Sequence, residues 1–360
     1  MDSLPPAPQR LGTLPAAVQY AALLLVSAVF VFLLDLTHLP AAFLIGPMFA
    51  AIIAGTNGAT VRVPRPLFGA AQAVVGCLVA ASISIEIIAA FTSDWPLVTA
   101  VVMATLAASS FLGWFISRFK ALPGSTAVWG SAPGGATAMV LMAGAFGADV
   151  RLVAFMQYLR VIMVSIAAAL VARLWVDTSG AELPAHIWFP AIQWPAFGAM
   201  IAIAVAGAAL GRLARLPSPY FLGAAILGAV AHIGFGVPIQ LPEWLLAASY
   251  ALIGWAIGLN FTSSILLHAA RALPQIVGSI IALMAFCGGL AWLLSHELGI
   301  DPLTAYLATS PGGLDSVAII AAASKDVDMS FVMALQSCRL AFVLAFGPFL
   351  ARLVSRWVKQ

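Results

Sequence analysis

A chain of 360 residues is long enough for two soluble domains, but its composition is not that of a soluble protein. Hydrophobic residues make up 63% of it and charged residues 8%, whereas globular domains carry roughly a quarter charged residues. The class that remains is an all-α polytopic membrane protein, and the formal net charge of +3 bears on loop orientation, not on nucleic-acid binding.

The N-terminal stretch Met1 to Thr13 is short and Pro-containing, with Arg10 its only basic residue. The apolar run behind it reaches spanning length and lacks a clear cleavage signal, which reads as a retained first helix and not a signal peptide. Apolar runs of spanning length are expected at about Ala16–Leu36, Pro40–Gly55, Leu67–Ala90, Trp95–Ile116 and Val150–Leu174. A second set follows at about Trp188–Leu210, Ser218–Phe235, Trp244–Leu267, Ile276–Leu294 and Met329–Val354. Two further segments, Leu122–Gly147 and Asp301–Ser324, each carry a Pro-Gly-Gly interruption and either cross the membrane or dip in and return.

The basic residues bear on that choice. If both interrupted segments are re-entrant hairpins and the N-terminus is inside, Arg10, Arg62, Arg118, Arg151, Arg212, Arg271 and Arg352 all fall inside. Asp35, Glu86, Asp94, Asp177, Glu243 and Asp301 then collect outside, and only Arg173 and Lys325 are misplaced among basic residues near helix ends. The positive-inside rule favours this arrangement. With the N-terminus inside, the C-terminus is then expected to be cytoplasmic as well. Trp95, Trp114, Trp175, Trp188, Trp244 and Trp357 lie near expected helix ends, as an interfacial aromatic belt requires.

The two halves, 1–180 and 181–360, read as repeats within one integrated membrane domain. Pro40, Phe43 and Gly46 match Pro217, Tyr220 and Gly223, and Gly76 matches Gly254. Pro133, Gly134 and Gly135 match Pro311, Gly312 and Gly313. One residue out of step, Asp149, Gln157 and Arg160 match Asp328, Gln336 and Arg339. Five crossings per repeat is an odd number, so the second repeat is expected to be inverted. Inverted repeats with interrupted helices are a signature of secondary transporters.

The interruptions are the candidate site. A break strips backbone groups of their helical partners, which lipid tolerates only where those groups face protein or a water-filled cavity. The helix start after each break offers unpaired N–H groups and a partial positive charge, suited to an anion. Ser131, Thr137, Thr309, Ser310 and Ser316 add hydroxyls, and glycine permits close approach of a ligand to the backbone. The alternative is a packing kink satisfied by neighbouring helices.

Asp315 replaces Thr137 in the second copy. A carboxylate there can take up a proton or coordinate Na⁺, coupling transport to an ion gradient, or it is simply a helix N-cap. Arg160 and Arg339 lie about ten residues into apolar helices, each three residues after a Gln on the same face. A guanidinium near the membrane centre costs roughly 2.5–3.5 kcal/mol on insertion scales, so each needs a partner. That partner is either an anionic substrate or the exposed carbonyls of the break. Asp149 and Asp328 read as N-caps.

Other chemistry is not indicated. The histidines form no i,i+4 pair, so no metal site is expected. Cys77, Cys287 and Cys338 sit in apolar segments as packing residues. No nucleophile elbow, P-loop or dinucleotide fingerprint occurs, so neither an enzyme nor an organic cofactor is expected.

The run Ser131-Ala132-Pro133-Gly134-Gly135 with Gln157-Tyr158-Leu159-Arg160, together with its second copy, resembles the duplicated module of the AbrB family of bacterial membrane proteins. Members of that family carry labels such as ammonia monooxygenase or regulator. Copper oxygenation needs clustered His ligands and a DNA-binding regulator needs an exposed basic module; neither pattern is here. The duplicated architecture is distantly similar to the cation/proton antiporter and anion transporter superfamily. That likeness implies elevator-like alternating access, and a homodimer, by fold-level analogy.

The expectation is therefore a secondary transporter of a small anionic solute, a carboxylate in the first instance, coupled to H⁺ or Na⁺. Its partners would be that anion and the lipid bilayer, with no nucleic acid. The substrate site would comprise Ser131, Pro133, Gly134, Gly135, Thr137, Gln157 and Arg160 with Thr309, Ser310, Gly312, Gly313, Ser316, Gln336 and Arg339, and Asp315 would couple to the ion. The rival expectation is a non-transporting membrane sensor or regulator that binds a small ligand or partner protein.

Overall fold

The computed structural model describes residues 11–36, 42–82, 95–118, 125–175, 189–216, 218–312 and 327–358. These residues form helices and turns, with no strand among them. In chain order the helices are α1 (Ala16–Asp35), α2 (Ala42–Thr56), α3 (Arg65–Ala81), α4 (Trp95–Arg118), α5 (Thr126–Ser131), α6 (Ala136–Ala145) and α7 (Val150–Trp175). They continue as α8 (Trp194–Leu213), α9 (Pro219–Ala229), α10 (Glu243–Gly258), α11 (Ser263–Leu298), α12 (Pro302–Thr309) and α13 (Met329–Val358).

Five stretches, within α1, α4, α7, α8 and α11, are long and apolar enough to cross a membrane. Their outward faces carry large apolar side chains, such as Leu25 and Phe32 on α1, Val205 and Leu213 on α8, and Trp292 on α11. In water such surfaces would be aggregation sites, while in lipid they are the required solvent contact. The chain is a helical membrane protein.

The helices gather into two compact units. One contains α1, α2, α3, α8, α9 and α10; the other contains α4 to α7, α12, α13 and α11 from Ala272 onward. The first unit is packed through small residues. In lipid no hydrophobic force drives helices together, so close backbone approach through small residues supplies the contact. A Cβ on Gly223 would lie 2.0 Å from the Gly207 carbonyl oxygen, which sets the close crossing of α8 and α9. Two further contacts are reciprocal between the sequence halves. A Cβ on Gly76 of α3 would meet the Phe221 carbonyl of α9 at 2.4 Å, and one on Gly254 of α10 would meet the Leu44 carbonyl of α2 at 2.7 Å. Trp255 donates its indole N–H to Ser27 Oγ at 2.9 Å, tying α10 to α1.

In the second unit α5 and α6 are the two arms of the first interrupted segment, and both pack on α7. At 1.5 Å per residue these arms are roughly 9 and 15 Å long, and neither alone crosses an apolar core of about 30 Å. α12 packs on α13 in the same manner as α5 on α7, and there are cross-contacts of α5 with α13 and of α12 with α7.

One sequence expectation is corrected. The runs Trp244–Leu267 and Ile276–Leu294 placed a loop at His268 to Gln275, but α10 stops at Gly258 and α11 runs unbroken through His268, Arg271 and Pro274. The turn falls at Leu259–Thr262, where Asn260 and Phe261 donate to the carbonyls of Ile257 and Gly258. The physical reason is amphipathicity. Ala269, Ala272, Ile276, Ile280, Leu283, Cys287, Ala291 and Leu294 recur every three or four residues as a buried stripe, while His268, Arg271 and Pro274 sit on the exposed side. A helix of roughly 54 Å also exceeds the bilayer core, so its first turns can carry charge outside it.

Candidate functional site: twin clamps on two helix breaks

The first break begins because Pro133 has no N–H to donate and disfavours helical geometry in the residue before it. Ala132 is accordingly extended, at φ −59° and ψ 125°, and Gly135 is similar at φ −57° and ψ 120°. The only local bond across the break joins the Gly134 N–H to the Ala132 carbonyl, at 2.9 Å. In the second copy Ser310, before Pro311, is extended in the same way at φ −55° and ψ 139°.

A helix end leaves carbonyls without partners and a partial negative charge. Here the last carbonyls of α5 are taken by two side chains of α7. Gln157 donates through Nε2 to the carbonyls of Trp129 at 2.7 Å and Ala132 at 3.0 Å. Arg160 donates through one terminal nitrogen to Ser131 and Ala132, and through the other to Gly134 and to Gln157 Oε1.

The second copy repeats this bond for bond. Gln336 donates to the carbonyls of Leu307 and Ser310, at 2.8 and 3.2 Å. Arg339 donates to Thr309, Ser310, Gly312 and Gln336 Oε1. All four side chains are at most 3% exposed. Bonds from a charged donor contribute about 1.5–3 kcal/mol each. The short bond to Ala132 and the one to Gln157, at 2.8 and 2.7 Å, are then enough to offset the roughly 2.5–3.5 kcal/mol that an apolar membrane charges for a guanidinium.

The helices that carry the clamps start alike. Asp149 donates its N–H to Thr126 Oγ1, and Asp328 donates to Thr304 Oγ1, both at 3.1 Å. Asp328 caps α13 by accepting from the Phe331 N–H at 3.0 Å, the N-cap role expected of it. Asp149 likewise caps α7 by accepting from the Arg151 N–H at 3.0 Å, and it also binds the Arg151 guanidinium, at 2.9 Å to Nε and 2.8 Å to a terminal nitrogen. Burial alone would raise the Asp149 carboxyl, but the hydrogen bonds and charge of Arg151 hold it below the usual carboxylate range. This pair is the one ion pair among the described residues.

The hydroxyls expected to face a ligand have varied engagements. Thr309 donates to the Cys287 and Ala305 carbonyls, at 3.1 and 2.9 Å. Ser310 donates to Leu307 at 3.2 Å. Thr137 Oγ1 pairs with the Tyr158 hydroxyl at 3.2 Å. Ser131 Oγ is buried with no partner. The glycines of the first break serve packing: a Cβ on Gly134 would lie 2.9 Å from Val343 Cγ1, and one on Gly135 would lie 3.3 Å from Leu340 Cδ1. Pro133 and Gly312 are buried. Gly313, Asp315 and Ser316 lie outside the described residues. Among the described residues no cluster of His, Cys, Asp or Glu could hold a metal ion.

A matched pair of Gln–Arg clamps on Pro-Gly-Gly breaks, in a chain otherwise built of apolar helices, is the feature that the sequence resemblance rested on. The family model described as "Transition state regulatory protein AbrB" matches residues 43–355. The chain belongs to the AbrB family. A relative in Escherichia coli (strain K12), "Putative regulator AbrB", is 49% identical over 324 residues, covering 90% of this chain and 92% of that protein. A relative in Bacillus subtilis (strain 168), "Uncharacterized protein YhjN", is 24% identical over 306 residues, or 79% of this chain and 77% of that protein. Within this AbrB-family chain, sequence reasoning found the clamp residues and gave the break carbonyls as one of two candidate partners for each Arg, but did not single out the individual acceptors. The Trp129 and Leu307 carbonyls carry no residue-type signal, since every residue has a carbonyl; their place in the last turn before a proline is the only clue.

Proposed function

We propose that this AbrB-family protein is a secondary transporter of a small anionic solute, a carboxylate in the first instance, driven by H⁺ or Na⁺. One observation carries the reading: the break-and-clamp arrangement occurs twice, in buried parts of a membrane chain, at equivalent positions of the two sequence halves. A single break can be a packing accident. Two breaks, each held open by its own Gln–Arg pair, imply that non-helical backbone is needed there, and lining an aqueous cavity is the use that membranes tolerate.

In this reading the halves 1–180 and 181–360 are inverted repeats and the Pro-Gly-Gly segments are re-entrant. Arg160 and Arg339 position the break backbones and lend positive potential to the site, rather than forking the substrate directly, because their terminal nitrogens are engaged with carbonyls. The anion is held by the N–H groups around Gly135, Gly312 and Gly313, that of Gly134 being donated to the Ala132 carbonyl, and Asp315 is the coupling group. The unit that carries both breaks is the moving part of an elevator, and the glycine-packed unit is its scaffold.

The test is counterflow of labelled small carboxylates in proteoliposomes, with and without imposed H⁺ and Na⁺ gradients. Saturable flux whose gradient dependence disappears in Asp315→Asn is expected. No flux of any anion by folded protein contradicts the anion reading. The name of the Escherichia coli relative favours a second reading, a membrane sensor that binds a ligand or partner protein without moving it; specific binding without flux would support that one.

A further inference from the structure

The end of the first unit at which α3 begins and α8 finishes carries three exposed arginines, Arg65, Arg212 and Arg215. None of them is in an ion pair with a described residue. Packing draws this end together around one aromatic ring. The Arg212 guanidinium stands over Tyr220 of α9, 6.0 Å from the ring centroid, in a cation–π contact. The same ring fills the space at Gly69 of α3, where a Cβ would lie 3.1 Å from it. Arg65 precedes Gly69 by one turn, on the same face of α3.

The third arginine is kept against a local preference. Leu216 donates its N–H to the Gly211 carbonyl at 2.9 Å and Arg215 donates to the Arg212 carbonyl at 3.1 Å, the paired bonds that close a helix on a left-handed residue. Glycine is usual at that position, because a Cβ is strained there. Here the residue is Arg215, at φ 52°.

The repeat shows that helix packing does not require these charges. Arg212 lies five residues before Pro217, as Asp35 lies five before the matching Pro40. Arg65 lies eleven residues before Gly76, as Glu243 lies eleven before the matching Gly254. At equivalent places of one architecture, two arginines stand for two carboxylates and Tyr220 stands for Phe43. The sign of the charge is therefore set by what each end meets. Beside the arginines the surface is apolar: Leu67, Leu210 and Leu213 are 49%, 52% and 81% exposed. Guanidinium groups fork phosphate oxygens, and exposed leucines next to them suit acyl chains, so this surface matches an amphiphile with a phosphate head.

We infer that Arg65, Arg212 and Arg215 form a headgroup site for an anionic phospholipid, with Tyr220 holding the Arg212 guanidinium in place. The bound lipid ties together the ends of α3, α8 and α9. The site lies within the first unit and is independent of whether a carboxylate is transported.

The test is native mass spectrometry of the full chain in neutral detergent, with phosphatidylglycerol or phosphatidylcholine of the same acyl chains added. Wild type is expected to retain phosphatidylglycerol and to release phosphatidylcholine. Each basic side chain at an anionic surface contributes about fivefold, so the double variant Arg65→Gln/Arg212→Gln should bind phosphatidylglycerol roughly 30-fold more weakly. Arg118→Gln/Lys120→Gln removes the same two charges elsewhere and should bind as wild type does. Equal weakening in both double variants overturns the proposal, since net charge alone would then explain retention. Arginines that serve only to orient the chain during insertion predict no lipid preference at all. Equal retention of both lipids by the wild type therefore overturns the proposal without reference to any variant.

Discussion

At the scale of residues, four side chains decide whether the breaks hold. Gln336→Ala takes one donor from the buried carbonyls of Leu307 and Ser310 and the Oε1 acceptor from Arg339, while Ser310 Oγ and Arg339 still donate to those carbonyls, so a loss of about 1–3 kcal/mol in all is expected. Gln157→Ala should behave alike, and thermal melts in detergent would read both. Arg339→Lys should be nearly as damaging as Arg339→Ala, because one ammonium cannot reach carbonyls on both sides of the break. A lysine variant with wild-type stability would show that charge alone suffices. Gly134→Ala forces a methyl against Val343, and Val343→Ala in the same chain should recover most of the lost stability; failure of that rescue would point to backbone conformation instead of packing. Much of this was legible in the sequence. The Gln and Arg recur at matched positions and share a helix face, and a buried charge demands a partner. The choice between substrate and backbone as that partner was not legible, because it depends on a contact between groups more than twenty residues apart. The role of Gly134 was hidden for the same reason: glycine admits either a ligand or a neighbouring side chain, and here Val343 takes the space.

At the scale of elements, hydropathy placed helices at the expected runs, five of them long and apolar enough to cross a membrane among the described residues, and misjudged the boundary between α10 and α11. A window average treats His268, Arg271 and Pro274 as a loop, yet those residues share the exposed side of α11 while the opposite stripe stays buried. Periodicity, not mean hydropathy, holds that information. Ala270→Pro is therefore expected to destabilise the protein by about 3 kcal/mol, as for a helix interior. A proline tolerated there without a change in Tm would restore the loop. The N-cap aspartates were easier to read, because capping is local chemistry: Asp328 accepts from the third residue of its helix, and Asp149 from the second, at 3.0 Å; the cap that Asp301 gives Thr304 was not among the expectations. The short arms α5, α6 and α12 follow from Pro and Gly placement, which the sequence displays directly.

At the scale of the whole molecule, contacts tie the two sequence halves together within each unit. Gly76 against Phe221 is answered by Gly254 against Leu44 in one unit, and α5 with α13 is answered by α12 with α7 in the other. Reciprocal contacts of this kind are what a duplicated, two-fold-related chain would make, and they support the repeat on which the transport reading rests. A transporter must expose its site to each side of the membrane in turn, whereas a sensor need not. Thr137, half-buried beside the first break, is the position from which to ask. In a chain whose native Cys77, Cys287 and Cys338 are replaced by serine or alanine, Thr137→Cys would be treated with a membrane-impermeant thiol reagent from either face of sealed vesicles. Transport by alternating access predicts labelling from both faces, with the balance shifted by substrate or by an ion gradient. Labelling from one face only, under every condition and in folded protein, would contradict it.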